Sequence, residues 1–466
     1  MTTEGLRQRL RHLSTATGLA CLVAGIGVSA PLGVPQYLAP RADGAWHTAA
    51  RPAWPVHTSA RPIAVLVDEG THRVFVLAQD YQQGSYPNPQ GTGSLSTFDA
   101  ATGALVRTTR VGVGPVQMAL DVAAQRLYVL NRGPLDGERN ATQRGSVSVL
   151  DAATGTLVRT TPVGVGADAL AVDERHGRVF ALTDDPGATN GQSSGDTSVL
   201  DAVTGALVRR LPGVSGTALA VSARTGRLFV ASGLSCPPAP TDTNKAELGC
   251  LEVLDARTGH RLATRPLAER VGQRAMAADD VTGHVVAMQE GSRDGQDPDQ
   301  FVSHVALLDA TTGATLRRAT TNGYWETNAF ALSVTAGRAV VVEGPDAYDI
   351  QMSGGGPETI SVVDTRSGRM LHTTAGPVET YGFVAEVVID ARTGRIVVLM
   401  QPIADLTGAL REHATLMVLD ARTGRLLHTT PGQVGDVALG LDASRGYLFV
   451  ANARSNTVRL LNIARL

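Results

Sequence analysis

One short string constrains this chain more than any other feature. D-x-x-[TS]-G begins at Asp99, Asp151, Asp201, Asp255, Asp309, Asp364 and Asp420. The spacing is 50 residues at its shortest, from Asp151 to Asp201, and 56 at its longest, from Asp364 to Asp420. A period of this length means a repeat architecture, in which neighbouring units bury one another's faces.

Each unit has the same parts. An apolar run such as "DALAVDE" (168–174) leads through a tight turn into "GRVFALT" (177–183). A polar connection of variable length follows, then "TSVLD" (197–201), the D-x-x-T-G turn and "ALVRRL" (206–211). Four short β-rich runs bounded by turn residues read as one four-stranded antiparallel blade, and many such blades make an all-β fold, a single β-propeller. We label the strands a to d from the axis outward. Strand a recurs eight times, near Ile63, Gln117, Asp168, Thr217, Arg274, Asn328, Ala385 and Val437. Strands b and c also recur eight times, but strand d follows only the first seven c strands. Eight blades are expected, with seven plus one irregular unit as the alternative. The missing outer strand is expected from the N-terminal region, for example "AWHTAA", Ala45 to Ala50. Ring closure of that kind removes exposed sheet edges.

The D-x-x-T-G string is itself a candidate for chemistry, and the sequence argues against it. Asp390 to Gly394 repeats it between strands a and b, thirty positions before Asp420, and Ser222 to Gly226 is a variant there. One string serving two different hairpins is turn chemistry: the carboxylate accepts backbone N–H groups and glycine takes the positive φ. A quinone-binding propeller repeat would carry Trp eight residues after the Asp. Here that position holds Arg107, Arg159, Arg209, Ala263, Arg317, His372 and His428. No cofactor is predicted.

Composition sharpens the outline. Aromatic content is only 4%, so Val, Leu, Ala and Ile must fill the core of this 466-residue chain, which suits strands. The net charge of -2 gives no overall electrostatic footprint for nucleic acid or an anionic membrane, and a monomer is expected. Arg7, Arg9 and Arg11 precede an apolar stretch, Gly18 to Ala30. That order reads as a signal peptide or an uncleaved membrane anchor over 1–30. Residues 31–61 read as a linker that donates the closing strand, and 62–466 as the propeller. Cys236 and Cys250 flank a polar loop. A local disulfide fits an oxidising compartment, with free thiols the alternative. The chain is therefore expected to be exported, to periplasm, surface or medium, with the membrane met only through the N-terminal segment.

"RLYVLN" (126–131) and "YLFVANARSNTVRLLN" (447–462) resemble the YVTN-type propeller repeat of YncE-like exported proteins. The resemblance covers nearly all of 62–466 and implies the propeller fold and a binding or cell-surface role.

Catalytic signatures are scarce. HExxH does not occur, G-x-S-x-G occurs only at Gly191 to Gly195 in a polar b–c connection and not at a strand-to-helix elbow, and the sole lysine, Lys245, is the one residue that could form a Schiff base. The acidic loop Asp294 to Gln300 lacks the spacing of a calcium loop, so no metal site is predicted. Attention therefore moves to positions where the repeat fails. Connections b–c and d–a emerge on one face, and seven of the eight b–c connections are long and polar. At the channel mouth on that face the non-repetitive residues Arg274, Trp325, Glu326, Asn328, Glu379 and Tyr381 are the candidates for ligand binding. Alternatively they only bond one another around a water-filled channel. The favoured function is an exported binding scaffold recognising a protein or small molecule on the long-loop face. The alternatives are a metal-assisted lactonase or hydrolase built on Glu326, Asn328 and Glu379, and a structural spacer.

Overall fold

The protein is seen in a computed structural model that describes residues 54–80, 91–134, 143–183, 195–232, 249–292, 301–321, 326–333, 337–344, 359–376, 382–402 and 413–466. The strands form eight four-stranded antiparallel sheets. Seven are continuous in sequence, over 61–113, 115–165, 167–212, 218–266, 270–320, 326–375 and 382–431. We number them blades 1 to 7. Blade 8 takes its inner three strands from Asp436–Asp442, Tyr447–Asn452 and Thr457–Asn462, and its outer strand from Val56–His57.

The ring is thus closed by the N-terminal side of the chain, as expected, but by a different segment. Val56 pairs with Val458 and His57 with Thr457; Ala45 to Ala50 lies outside the described residues. Val56 enters a core shared between blades 8 and 1 with Val65, Phe98, Phe449 and Val458. Trp54 meets Phe449 edge-on at 4.9 Å and Phe98 at 6.0 Å. Across the same seam Glu69 Oε1 accepts the Ala443 N–H at 2.7 Å.

Strand b lies between strands a and c and between two neighbouring blades, so it is buried on both faces and reads as a continuous apolar run. In Arg73–Gln79 all five residues between the ends are buried. The third b position places Phe75, Tyr128, Phe180, Phe229 and Phe449 fully inside, which is how few aromatics suffice. The first b position holds the blades together. Arg73 Nε donates to Ala153 O of blade 2 at 3.1 Å, and Arg126 Nε to Val203 O of blade 3 at 3.0 Å. Both arginines also pair with their own blade's turn aspartate, Asp99 and Asp151. In blade 5 His284 takes this place, its Nδ1 lying 3.0 Å from Thr365 O.

The D-x-x-T-G turns form as the sequence predicts. Asp201 Oδ1 accepts from the Thr204 N–H at 2.9 Å and its hydroxyl at 2.8 Å, and Gly205 has φ +67°. The Thr204 N–H, then its hydroxyl, outweigh partial burial and hold the Asp201 carboxyl below its ordinary value. In the a–b hairpin of blade 7, Asp390 caps Arg392 and Thr393 in the same way and Gly394 has φ +67°. A third kind of hairpin uses the device too. Asn452 Oδ1 caps the short b–c turn of blade 8, accepting from Arg454 and Ser455 N–H.

In its c–d setting the glycine of the string has a further task. A Cβ on Gly205 would lie 2.6 Å from Val149 of blade 2, and one on Gly155 would lie 2.5 Å from Thr97 of blade 1. At Gly394 and Gly177, in a–b turns, the same atom would meet nothing within 4 Å. The outer strand of each preceding blade uses this closeness. Thr109 Oγ1 donates to Gly155 O at 2.6 Å and Thr161 Oγ1 to Gly205 O at 2.5 Å. The c–d turn is a turn and also an inter-blade joint.

Candidate recognition face

The two ends of the ring differ in kind. One carries the a–b and c–d hairpins, each joining its strands through four or five residues. The other carries the b–c connections, which run over 80–91, 132–143, 184–195, 233–249, 293–300, 345–358 and 403–414, and only in blade 8 shrink to the turn 453–456. Seven long connections and one tight turn agree with the expectation from sequence.

The feet of these connections are built from polar groups inside the fold. The sixth position of strand b is polar in six blades: Asn131, Thr183, Ser232, Gln289, Glu343 and Asn452. This is the terminal Asn of the "RLYVLN" and "YLFVAN" strings. Asn131 Nδ2 lies within 3.2 Å of four oxygens, those of Val129 O, Ser146 O, Ser146 Oγ and Ser148 Oγ. Thr183 Oγ1 donates to Asp196 O at 2.8 Å and accepts the Asp196 N–H at 2.9 Å, which clamps the 184–195 connection at both ends. Thr321 Oγ1 donates to Glu343 Oε1 at 2.8 Å across the blade 5–6 seam. Buried polar side chains that are bonded in this way fix the base of a loop while leaving its length free.

Ion pairs surround the same mouth. Arg132 of blade 2 reaches Asp168 of blade 3. Asp436 is wholly buried and bonded by Arg459 and Asn452. Arg210 pairs with Asp196 at 2.9 Å. Glu269 is gripped by Arg318 and by His304 Nδ1 at 3.0 Å. Burial alone would push the Glu269 carboxyl up, but the bonds from His304 and Arg318 outweigh it and hold the carboxyl below its ordinary value. Carboxylates held by arginines brace the mouth and are not open to a ligand ion.

Inner strands start irregularly here. Their pairing with strand b shifts by one residue at Ile63, Val116, Asp168, Asn328, Ala385 and Val437. Such bulges re-aim side chains and gather near functional rims. Just past two of them stand Gln117 and Glu386, in equivalent register. Gln117 accepts the N–H of Leu170 in blade 3 at 2.9 Å and returns its amide to Leu170 O at 3.3 Å. Glu386 is buried, and its Oε2 has no hydrogen-bond partner among the described residues. Burial pushes its carboxyl well above the ordinary value.

Of the six candidate ligand residues, Trp325, Glu379 and Tyr381 lie outside the described residues. Only the backbone is described for Arg274, Glu326 and Asn328. Arg274 falls within the irregular pairing between Val271 and Met276, Glu326 opens the inner strand of blade 6, and Asn328 is its bulge. Their convergence on one point, which the hydrolase reading needs, is therefore not described. Cys250, which opens a c strand, is disulfide-bonded, and Cys236 lies outside the described residues. Sequence reasoning passed over the sixth b position and the bulges. The first was signalled by polar residues ending apolar runs; the second leaves no trace in apolar patterning.

This geometry defines the protein as an eight-bladed β-propeller with one face of anchored long connections. Among solved structures it is similar to Sqt1 of Saccharomyces cerevisiae, with a TM-score of 0.56 and 10% identity over 87% of this chain and 97% of that one. It is also similar to the Dos1 propeller, with a TM-score of 0.53 and 14% identity over 89% and 95%. At such identities the likeness is one of fold alone. No protein-family model matches the chain, and no curated protein matches it by sequence.

Proposed function

We propose that this propeller is an exported binding scaffold that recognises a protein or small-molecule partner through its b–c face. One observation carries the reading: seven b–c connections are long while every hairpin on the opposite face is short. Variable loops on a rigid frame are the usual carriers of recognition, and the bonded sixth b residues supply that frame. Export is supported by the signal-like sequence of residues 1–30 and by the disulfide at Cys250, paired in this reading with Cys236.

Site-specific photo-crosslinking in the source cell tests it. A crosslinker at Tyr86 or Tyr348, in two long connections, should yield discrete adducts, and one at Ala101 in a c–d turn should not. Adducts from Ala101 alone would overturn the assignment of the face. The same cells should yield the protein in the extracytoplasmic fraction, and its retention in the cytoplasm would overturn export.

A further inference from the structure

Among the described residues, all twelve exposed large apolar side chains lie on one side of the ring, at or beside the turn face. Val203 and Val281 sit in the turns themselves, at 52% and 61% exposure. The other ten occupy the first two positions of outer strands. That placement is not incidental to strand geometry. In each of blades 1 to 7 the pairing of strands c and d slips by one residue near the start of strand d, at its second position in six blades and its third in blade 6. The residue so extruded is Val106, Val158, Val208, Leu262, Leu316 or Leu427, each 41–52% exposed. In blade 6 it is Leu371, half-buried. A bulge turns its residue away from the regular pleat. Here six of the seven bulges turn an aliphatic side chain out at one height around the rim, and Leu371 of blade 6 packs against the core instead.

The wall above them is charged with one sign. The seven outer strands contain ten arginines and two histidines, and no Asp or Glu. Only Arg210, Arg261 and Arg318 of those arginines pair with a carboxylate among the described residues. Arg107 and Arg159 directly follow the bulges of blades 1 and 2.

We propose that this rim docks on an anionic phospholipid bilayer. Aliphatic side chains at one level, with arginines beside them, match the acyl boundary and headgroup layer of such a surface. The repetition around the ring favours a plane: a bilayer can meet every blade at once, whereas a protein partner of ordinary size meets a few. A nucleic acid would answer the arginines but leave the aliphatic residues without a partner. The described chain, beginning at residue 54, also enters the outer strand of blade 8 from this side. Strand Thr457–Asn462 starts at the loop face, and Val56–His57 pairs antiparallel to its first two residues, so the backbone preceding Val56 leads toward the turn face. That backbone continues the sequence carrying the apolar stretch Gly18 to Ala30. Docked in this way, the propeller would hold its b–c face away from the bilayer. The proposal does not depend on what that face binds.

Hydrogen–deuterium exchange of the full chain, with phosphatidylcholine vesicles containing or lacking phosphatidylglycerol, tests it by position. Anionic vesicles should protect the amides at the start of the outer strands, high salt should remove the protection, and neutral vesicles should not give it. R107Q/R159Q should weaken vesicle affinity about 30-fold, and V106S/V158S/L262S/L316S should abolish the outer-strand protection, each with an unchanged melting temperature in solution. Equal protection by neutral vesicles, or protection confined to the b–c connections, would overturn the proposal. So would outer-strand protection by DNA that matches the vesicles and survives the serine substitutions, which would mark a polyanion site. The arginine variant decides the matter should the serine variant fail to fold.

Discussion

Gly205 and Gly394 close the same string at the same backbone angle, φ +67°, in a c–d and an a–b hairpin. They give a controlled test of the claim that the c–d glycine is pressed against the neighbouring blade and the a–b glycine of blade 7 is not. Alanine at either site bears the left-handed penalty of about 1–2 kcal/mol. At Gly394 nothing more is lost, since the new Cβ meets open space. At Gly205 the Cβ would lie 2.6 Å from Val149 Cγ2 and 3.1 Å from Val149 Cβ. Carbon atoms rest about 3.5–4.0 Å apart, so the turn must retreat from blade 2 by roughly 1 Å. Overpacking of that kind costs about 1–3 kcal/mol. The retreat also stretches two joints, Thr161 Oγ1 to Gly205 O at 2.5 Å and Arg126 Nε to Val203 O at 3.0 Å. Gly205→Ala should therefore destabilise by about 1–3 kcal/mol more than Gly394→Ala. Urea unfolding of both variants beside the wild type measures this, with equal slopes as the condition for comparing midpoints. Equal losses, or a larger loss at Gly394, would refute the division of labour.

Thr161→Val removes the joint itself while keeping shape, and should cost about 1 kcal/mol. Thr160→Val, next to it on the exposed side, should be silent in the same urea series. Glu386→Gln should raise the melting temperature at pH 8, because an amide in this register can reproduce the two bonds that Gln117 makes to Leu170. Burial raises the folded pKa of Glu386 above 4.5. Its contribution is therefore fully present below the unfolded value and lost as pH rises through the folded one; the Gln variant should flatten that decline, and a lower melting temperature at pH 8 would contradict the reading. Asp201 has the opposite sign. Its folded pKa lies below 3.8, so its stabilisation is present above that value and fades as pH falls through the folded one. Asp201→Asn, which keeps an acceptor for Thr204, should show a shallower loss of melting temperature on acidification.

The fold was legible because a propeller repeats its punctuation. The string from Asp99 to Asp420 set the repeat, the eight recurrences of strands a to c set the blade number, and the string's reuse at Asp390, in a hairpin of another kind, marked it as turn chemistry. The closing strand was harder to read: Val56–His57 is two residues long, too short for an alternating pattern, and it is held by Val56 and Trp54 entering the blade 8–1 core. The terminal Asn of "RLYVLN" was visible as a resemblance, but its work at the foot of a loop depends on Ser146 and Ser148, residues of another strand. The rim was misleading for a physical reason. "LVR" at Leu105 to Arg107 looks like a strand with one inward residue, yet the bulge at Val106 breaks the alternation and leaves Leu105 and Val106 both outside.

Repetition and function are not opposites in a closed ring. The positions that failed to repeat pointed to the b–c face, where each connection differs from the next and a partner of irregular shape would be read. Positions that repeat suit the reverse case, a partner that is itself uniform. The overall charge of -2 conceals this, because it averages the whole surface. Acidic groups concentrate in the turns and at the mouth, where Asp99, Asp151 and Asp168 face arginines of the frame. The outer strands keep their arginines and carry no acid at all. Charges farther away than the roughly 8 Å screening length of physiological salt add little, so a surface in contact with the wall responds to the charges within that distance and not to the balanced total.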